Sequence, residues 1–182
     1  MSHVMLDLET MGTDPYSPII AIGACRFEMD QTLSMASAMF YHSITLESCM
    51  DLGLKPSAST ITFWLTDLSV TKDAQKVFAD PTAASLPLVL DAFTDWLSYS
   101  PQPDLIWGNS ARFDCGLLEA AYKVCGKSVP WDFWNERCYR TVKNLPKAEE
   151  VILVRQGTYH NALDDALSQA DHLRRIYKHL NL

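Results

Sequence analysis

Apolar and polar positions are most tightly patterned at the start of the chain. Val4 to Leu8 is an apolar, β-favouring run holding Asp7 and continuing into Glu9, and Ile19 to Phe27 is a second apolar run beyond a loop with Pro15 and Pro18. Both predict strands, lying side by side. A third run, Met35 to Ile44, predicts the last strand of a meander, although its alanines and serines weaken the β preference. The middle of the chain turns helical. Ser59 is placed to cap a short helix containing Ile61, Phe63, Trp64 and Leu65, and Val77, Phe78, Leu86, Val89, Leu90, Phe93 and Leu97 supply further helical faces around Pro81 and Pro87. Leu105 to Trp107 predicts a short strand that runs through Gly108 and Asn109 into a helix with Leu117, Leu118, Ala121 and Tyr122 on its buried stripe. From Asn161 to about His179 the spacing of Leu163, Ala166, Leu167, Ala170, Leu173 and Tyr177 gives the clearest amphipathic helix of all. Strands first, helices later and one strand-to-helix alternation favour an α/β or α+β arrangement around a mixed sheet.

Composition narrows this without redirecting it. A chain of 182 residues, 48% hydrophobic and 20% charged, suits one globular domain over 1–182, and no repeat or linker divides it. The opening MSHVMLDLET has no basic, then long apolar, leader and no apolar run is long enough to cross a membrane, so a soluble cytoplasmic protein is the expectation. Five cysteines with no C-x-x-C indicate reduced thiols rather than a disulfide framework or a zinc knuckle. A net charge of -7 argues against a protein that coats nucleic acid by bulk charge. It leaves a nuclease open, because an acidic site can meet phosphates through divalent cations.

Three clusters carry candidate chemistry. In Asp7-Leu8-Glu9 the strand period puts both acids on one face and Leu6 and Leu8 on the other, and two neighbouring carboxylates at a core suggest a hard-metal site, unless they simply face solvent on an edge. Asn109-Ser110-Ala111-Arg112-Phe113-Asp114 sets an acid where a strand passes into a helix, a position that suits function or a helix cap. In His160-Asn161-Ala162-Leu163-Asp164-Asp165 an imidazole precedes the last helix and Asp165 lies just over one turn into it, so that the imidazole and a carboxylate can share one rim; helical geometry does not choose between Asp164 and Asp165.

Together, D-x-E, N-x-x-x-F-D and H-x-A-x-x-D, in that order from Asp7 to Asp165, resemble the three motifs of the DnaQ-like, or DEDDh, 3′-5′ exonucleases. The stretches DLETMG (7–12), TITFWL (60–65) and FWNERCYRT (133–141) are similar to the phage exonuclease and RNase AS-like branch, with Cys138 where an acid is more usual.

The resemblance implies an RNase H-like α/β fold with a central mixed five-stranded sheet flanked by helices, and hydrolysis of single-stranded DNA or RNA from the 3′ end to nucleoside 5′-monophosphates. It implies two divalent cations, Mg²⁺ or Mn²⁺, held by Asp7, Glu9, Asp114 and Asp165, with His160 as general base. It resolves the choice at the last helix in favour of Asp165, leaving Asp164 and Cys138 without a role. Substrate binding would fall to Thr10, Met11, Gly12, Trp64 and Phe113, with Trp64 stacking on a base, although Trp64 and Met11 also suit a core. Arg137, Arg140 and Lys143 are either phosphate contacts or a solvated helix face. A homodimer is a further expectation. The competing readings are an RNase H-like endonuclease, which His160 argues against, and a non-catalytic nucleic-acid-binding module.

Overall fold

The computed structural model describes residues 2–30, 39–98 and 105–182. Its five strands, β1 (His3–Thr10), β2 (Ile19–Phe27), β3 (Met39–Ser43), β4 (Leu105–Gly108) and β5 (Glu136–Cys138), form one sheet in the order β3-β2-β1-β4-β5. β1 pairs antiparallel with β2, and β2 with β3, whereas β1 with β4 and β4 with β5 are parallel. The sheet is therefore mixed, and the first strand sits at its centre. Residues 35–38 of the expected third strand lie outside the described residues, and β3 occupies the rest of that run up to Ser43.

Seven helices surround the described strands: α1 (Leu46–Asp51), α2 (Ala58–Thr66), α3 (Lys72–Gln75), α4 (Leu86–Ser98), α5 (Ala111–Val124), α6 (Tyr139–Lys143) and α7 (Ala162–Leu180). The period of two along β1 sorts them into layers. Val4, Leu6 and Leu8 join Leu90, Phe93 and Leu97 of α4 and Leu117, Leu118 and Tyr122 of α5 in one core. Met5 points the other way and joins Cys25, Trp107 and the apolar stripe of α7, Ala166, Leu167, Ala170 and Leu173. Asp7 and Glu9 follow Met5 on that second face, so the helix that covers Met5 also overhangs the acids.

Two local expectations change. Ser57, not Ser59, caps α2, its hydroxyl accepting from the Thr60 N–H at 3.2 Å; either serine is a good cap, and only the chain path chooses. Phe78 lies in a 3-10 turn over Lys76–Ala79 and is exposed, while Val77 beside it is buried. Pro87 falls in the first turn of α4, where its missing N–H is no loss.

One glycine decides how closely α7 approaches. Gly23 of β2 pairs with Asp7, and a β-carbon there would lie 2.2 Å from the carbonyl carbon of Ala162 and from the Leu163 nitrogen. The first turn of α7 thus rests directly on the sheet backbone beside Asp7.

Candidate active site

At the C-terminal end of β1 the chain opens a cleft of about 420 Å³. β1 contributes Asp7, Leu8 and Glu9 to its walls, the β4–α5 junction Asn109, Ser110, Phe113 and Asp114, and the start of α7 His160, Asp165 and Gln169, with Thr13 and Arg140 at the sides. The acids of all three sequence motifs and the histidine therefore meet, from positions up to 158 residues apart in the chain (Asp7 to Asp165). The pairing of β1 with β2 slips between Glu9 and Thr10, an irregularity at the rim where the strand must turn its acids into the cleft.

Asp7, Glu9 and Asp165 each offer an oxygen within 4.8 Å of the other two. Such crowding resists the ionisation of Asp7 and Glu9. Burial raises Asp7 well above the ordinary carboxyl range, and the charges of Asp114, Glu9 and Asp165 push it further. Glu9 is pushed up to about 8, by burial first and then by Asp165, with Arg155 pulling the other way. Asp114 rises to about 7 through burial, restrained by hydrogen bonds from Ser110 and from its own backbone and by the charge of Arg140. Gly108 leaves the room for Asp114, since a β-carbon there would come within 2.7 Å of the acid's own. Asp114 is both a cap and a member of the site: its Oδ2 accepts from the Ser110 N–H at 2.9 Å.

An all-oxygen cluster that strains against its own negative charge fits a hard divalent cation. Two further oxygens support the fit. Gln169 donates from Nε2 to Asp7 Oδ1 at 2.8 Å, and its own Oε1, like Asn109 Oδ1, is buried without a hydrogen-bond partner among the described residues. These acceptors are suited to the water shell of a hydrated ion.

His160 adopts a left-handed backbone, φ 61°, unusual for a residue with a side chain. Its N–H donates to Asp165 Oδ2 at 3.1 Å, and its Nε2 lies 2.9 Å from the Ser69 hydroxyl, which itself donates to Asp67. Phe63 and Trp64 meet the imidazole edge to face at 5.2 and 6.2 Å.

The expected substrate contacts are rearranged. Phe113 lines the cleft. Trp64 does not offer a face to a base: it is 3% exposed, its indole N–H donates to the Thr10 carbonyl at 3.0 Å, and Phe78 closes one side at 5.1 Å. Thr10 and Met11 are buried beside it, and the space over Gly12 is filled by the Ser17 hydroxyl, so this segment buttresses the site from behind. Among the basic residues, Arg137 is spent on the carbonyls of Trp134 and Glu136, and Lys143 lies over the Tyr139 ring. Arg140 alone of the three reaches the cleft, and its guanidinium makes no hydrogen bond or ion pair among the described residues. Sequence reasoning missed Thr13, Gln169 and Arg155. Gln169 had a detectable signal, lying one helical turn after Asp165 on the same face. Asp164, left without a role, accepts from the Thr158 N–H at 2.7 Å and ties down the loop that carries His160.

A mixed five-stranded sheet flanked by helices, with acids from its first strand, the helix after β4 and the last helix gathered at one rim, is the arrangement of a 3′-5′ exonuclease domain on an RNase H-like fold. The chain belongs to the family described as the 3′-5′ exoribonuclease Rv2179c-like domain, which it matches over residues 2–177. Among solved structures it is similar to cell-death related nuclease 4 (CRN-4), with 15% identity, TM-score 0.71 and coverage of 98% of this chain and 64% of that one. It is similar to the nuclease domain of 3′hExo, a DEDDh family member bound to rAMP, at 15% identity and TM-score 0.64, covering 98% and 92%. It is similar also to E. coli ExoI in a complex with single-stranded DNA, at 14% identity and TM-score 0.65, covering 99% of this chain but 42% of that enzyme. At these identities the likeness is one of fold. No curated protein matches the chain in sequence. No helix among the described residues is long and apolar enough to cross a membrane.

Proposed function

We propose that residues 1–182 act as a metal-dependent 3′-5′ exonuclease that shortens single-stranded RNA from its 3′ end, releasing nucleoside 5′-monophosphates. The observation that carries this reading is the convergence of Asp7, Glu9, Asp114, Asp165 and His160 on one open cleft. The family's description as exoribonuclease favours RNA over DNA.

Asp7, Glu9 and Asp165 would hold one divalent cation, and Asp7 with Asp114 a second. When bound, such cations supply the positive charge that stabilises the attacking and leaving oxygens of phosphoryl transfer. The remaining work belongs to the chain. Gln169 holds the Asp7 carboxylate in one orientation by donating to its Oδ1. His160 is the general base, accepting the proton of the attacking water at a ring nitrogen; to do so its ring leaves Ser69 or uses the nitrogen that Ser69 does not occupy. Arg140 in the cleft wall offers to a backbone phosphate a guanidinium that makes no hydrogen bond or ion pair among the described residues, and Phe113 gives the terminal nucleoside an apolar wall.

The reading is tested with 3′-labelled and 5′-labelled single strands of RNA and DNA in Mg²⁺, Mn²⁺ or EDTA, beside Asp7→Ala. A ladder shortened from the 3′ end, faster on RNA, absent in EDTA and absent in the variant is the expected result. Defined internal fragments would instead identify an endonuclease, and binding without cleavage would identify a non-catalytic module.

A further inference from the structure

We propose that Arg155 is a positioning residue for this hydrolysis: it ties the Asp165 carboxylate to the 155–160 segment and so fixes where His160 enters the cleft. The inference rests on the exonuclease reading above and on a set of contacts that reading does not use. Arg155 Nη1 donates to Asp165 Oδ1 and Nη2 to the Thr158 carbonyl, and the guanidinium lies 4.3 Å from the centre of the Tyr159 ring. The Arg155 and Asp165 side chains are 16% and 21% exposed, so water competes weakly for the pair.

The segment has no regular hydrogen-bond ladder of its own. It turns at Gly157, φ 62°, where a β-carbon would run into the Asp164 carboxylate, and ends at the left-handed His160. Side chains of α7 hold it down: Ser168 accepts from the Gln156 N–H at 2.9 Å and Asp164 from the Thr158 N–H. Asp165 completes the hold, because its Oδ2 accepts from the His160 N–H at 3.1 Å while its Oδ1 is gripped by Arg155. Turning that carboxylate would break both bonds. The acid that would bind a cation and the histidine that would take the proton are thus one unit, and the planar fork of arginine spans the two acceptors, Asp165 and Thr158, that define it. A histidine in a sparsely populated backbone region persists only when its surroundings impose it, and Arg155 is the side chain that links those surroundings.

The same residue read as a bare countercharge, displaced when a cation arrives, makes the opposite forecast, and the two are separated by measuring three variants. For Arg155→Ala, kcat on single-stranded RNA with Mn²⁺ should fall about tenfold to a hundredfold, the penalty of a base misplaced by roughly 1 Å, with KM changed less than about threefold. Guanidinium added at millimolar concentration should restore part of kcat. Mn²⁺ affinity measured by electron paramagnetic resonance without substrate should hold, and the amides of residues 157–160 should exchange faster with deuterium. Arg155→Lys keeps the charge but cannot span both acceptors, so it should recover less than half of the loss. An unchanged kcat in Arg155→Ala, full recovery in Arg155→Lys, or tighter Mn²⁺ binding at undiminished kcat overturns the proposal. If both Arg155 variants fail to fold, Tyr159→Ala decides: its ring is exposed, and kcat should drop roughly two- to fivefold with the lost cation–π contact, whereas wild-type kcat overturns the proposal. If the wild-type protein shortens no 3′ end, the exonuclease reading fails, and amide exchange and Mn²⁺ binding still judge the tie.

Discussion

Replacing Gly23 by alanine tests whether the active site is set by how closely α7 lies on the sheet. The added methyl would sit 2.2 Å from the Ala162 carbonyl carbon and the Leu163 nitrogen and 2.5 Å from the Ala162 oxygen, about 1 Å nearer than ordinary contact allows. All three obstacles are backbone, so no side chain can swing aside, and the helix start must retreat by about that overlap. Overpacking of this kind costs about 1–3 kcal/mol, and the rigid obstacle puts Gly23→Ala at the upper end. For a chain of this size that lowers Tm by roughly 6–12 °C. The same retreat carries Asp165 away from Asp7 and Glu9, whose oxygens now share a 4.8 Å span, so Mn²⁺ binding should weaken in parallel. Gly116→Ala is the control: it lies inside α5 with nothing within 4 Å of the new methyl, and should raise stability by roughly 0.5–1 kcal/mol, the helix preference for alanine over glycine. Thermal denaturation and calorimetric Mn²⁺ titration of both variants give the answer. A Gly23→Ala protein that melts within about 2 °C of wild type and binds Mn²⁺ equally well would refute the reasoning.

Two further outcomes follow from the site. In EDTA, Glu9 and Asp114 keep their protons in the folded chain up to about 8 and about 7 but lose them near 4.5 and 3.8 when unfolded, so the folded state binds more protons across that window and stability must fall as pH rises through it. With about 1.4 kcal/mol per pKa unit, Tm in EDTA should be lower at pH 8.5 than at pH 5.5 by more than about 5 °C, and saturating Mg²⁺ or Mn²⁺ should reduce or reverse the slope; a flat or rising profile in EDTA would count against the crowded cluster. Trp64→Phe should cost about 1–2 kcal/mol by orphaning the Thr10 carbonyl and leave RNA affinity, measured by fluorescence anisotropy, within about twofold; a loss of the 1–3 kcal/mol typical of base stacking would restore Trp64 to the substrate surface.

Much of this was legible because it is local. The period of two in β1 placed Asp7 and Glu9 opposite Leu6 and Leu8, and the stripe of α7 identified the helix that carries Asp165. Motif spacing then chose Asp165 over Asp164, a choice that helix geometry had left open. β5, three residues long and half-buried throughout, has no pattern of its own to read and was expected only as the fifth strand of the resembled fold. Trp64 was ambiguous for a different reason: an aromatic at a helical position suits a core or a base equally until the Thr10 carbonyl is seen to claim its N–H.

What stayed hidden acts through distance of approach. Gly23 matters because the first turn of a helix 139 positions later (23 to 162) lies on it, Gly108 because Asp114 needs its space, and Gly157 because Asp164 needs its own. None of these glycines belongs to a motif, and each is defined by what another segment brings near. Arg155 and Gln169 follow the same logic in polar form: each holds a carboxylate, Asp165 or Asp7, that the motifs already name. Motif acids are readable because cation chemistry restricts the residue types that can serve. Their supports are not, because many residues can orient a carboxylate and only the fold determines which one is in reach. The cluster therefore needs both sets: Asp7, Glu9 and Asp114, which resist ionisation, stand with Asp165 as oxygens suited to a cation, and the glycines, Gln169 and Arg155 keep them close together.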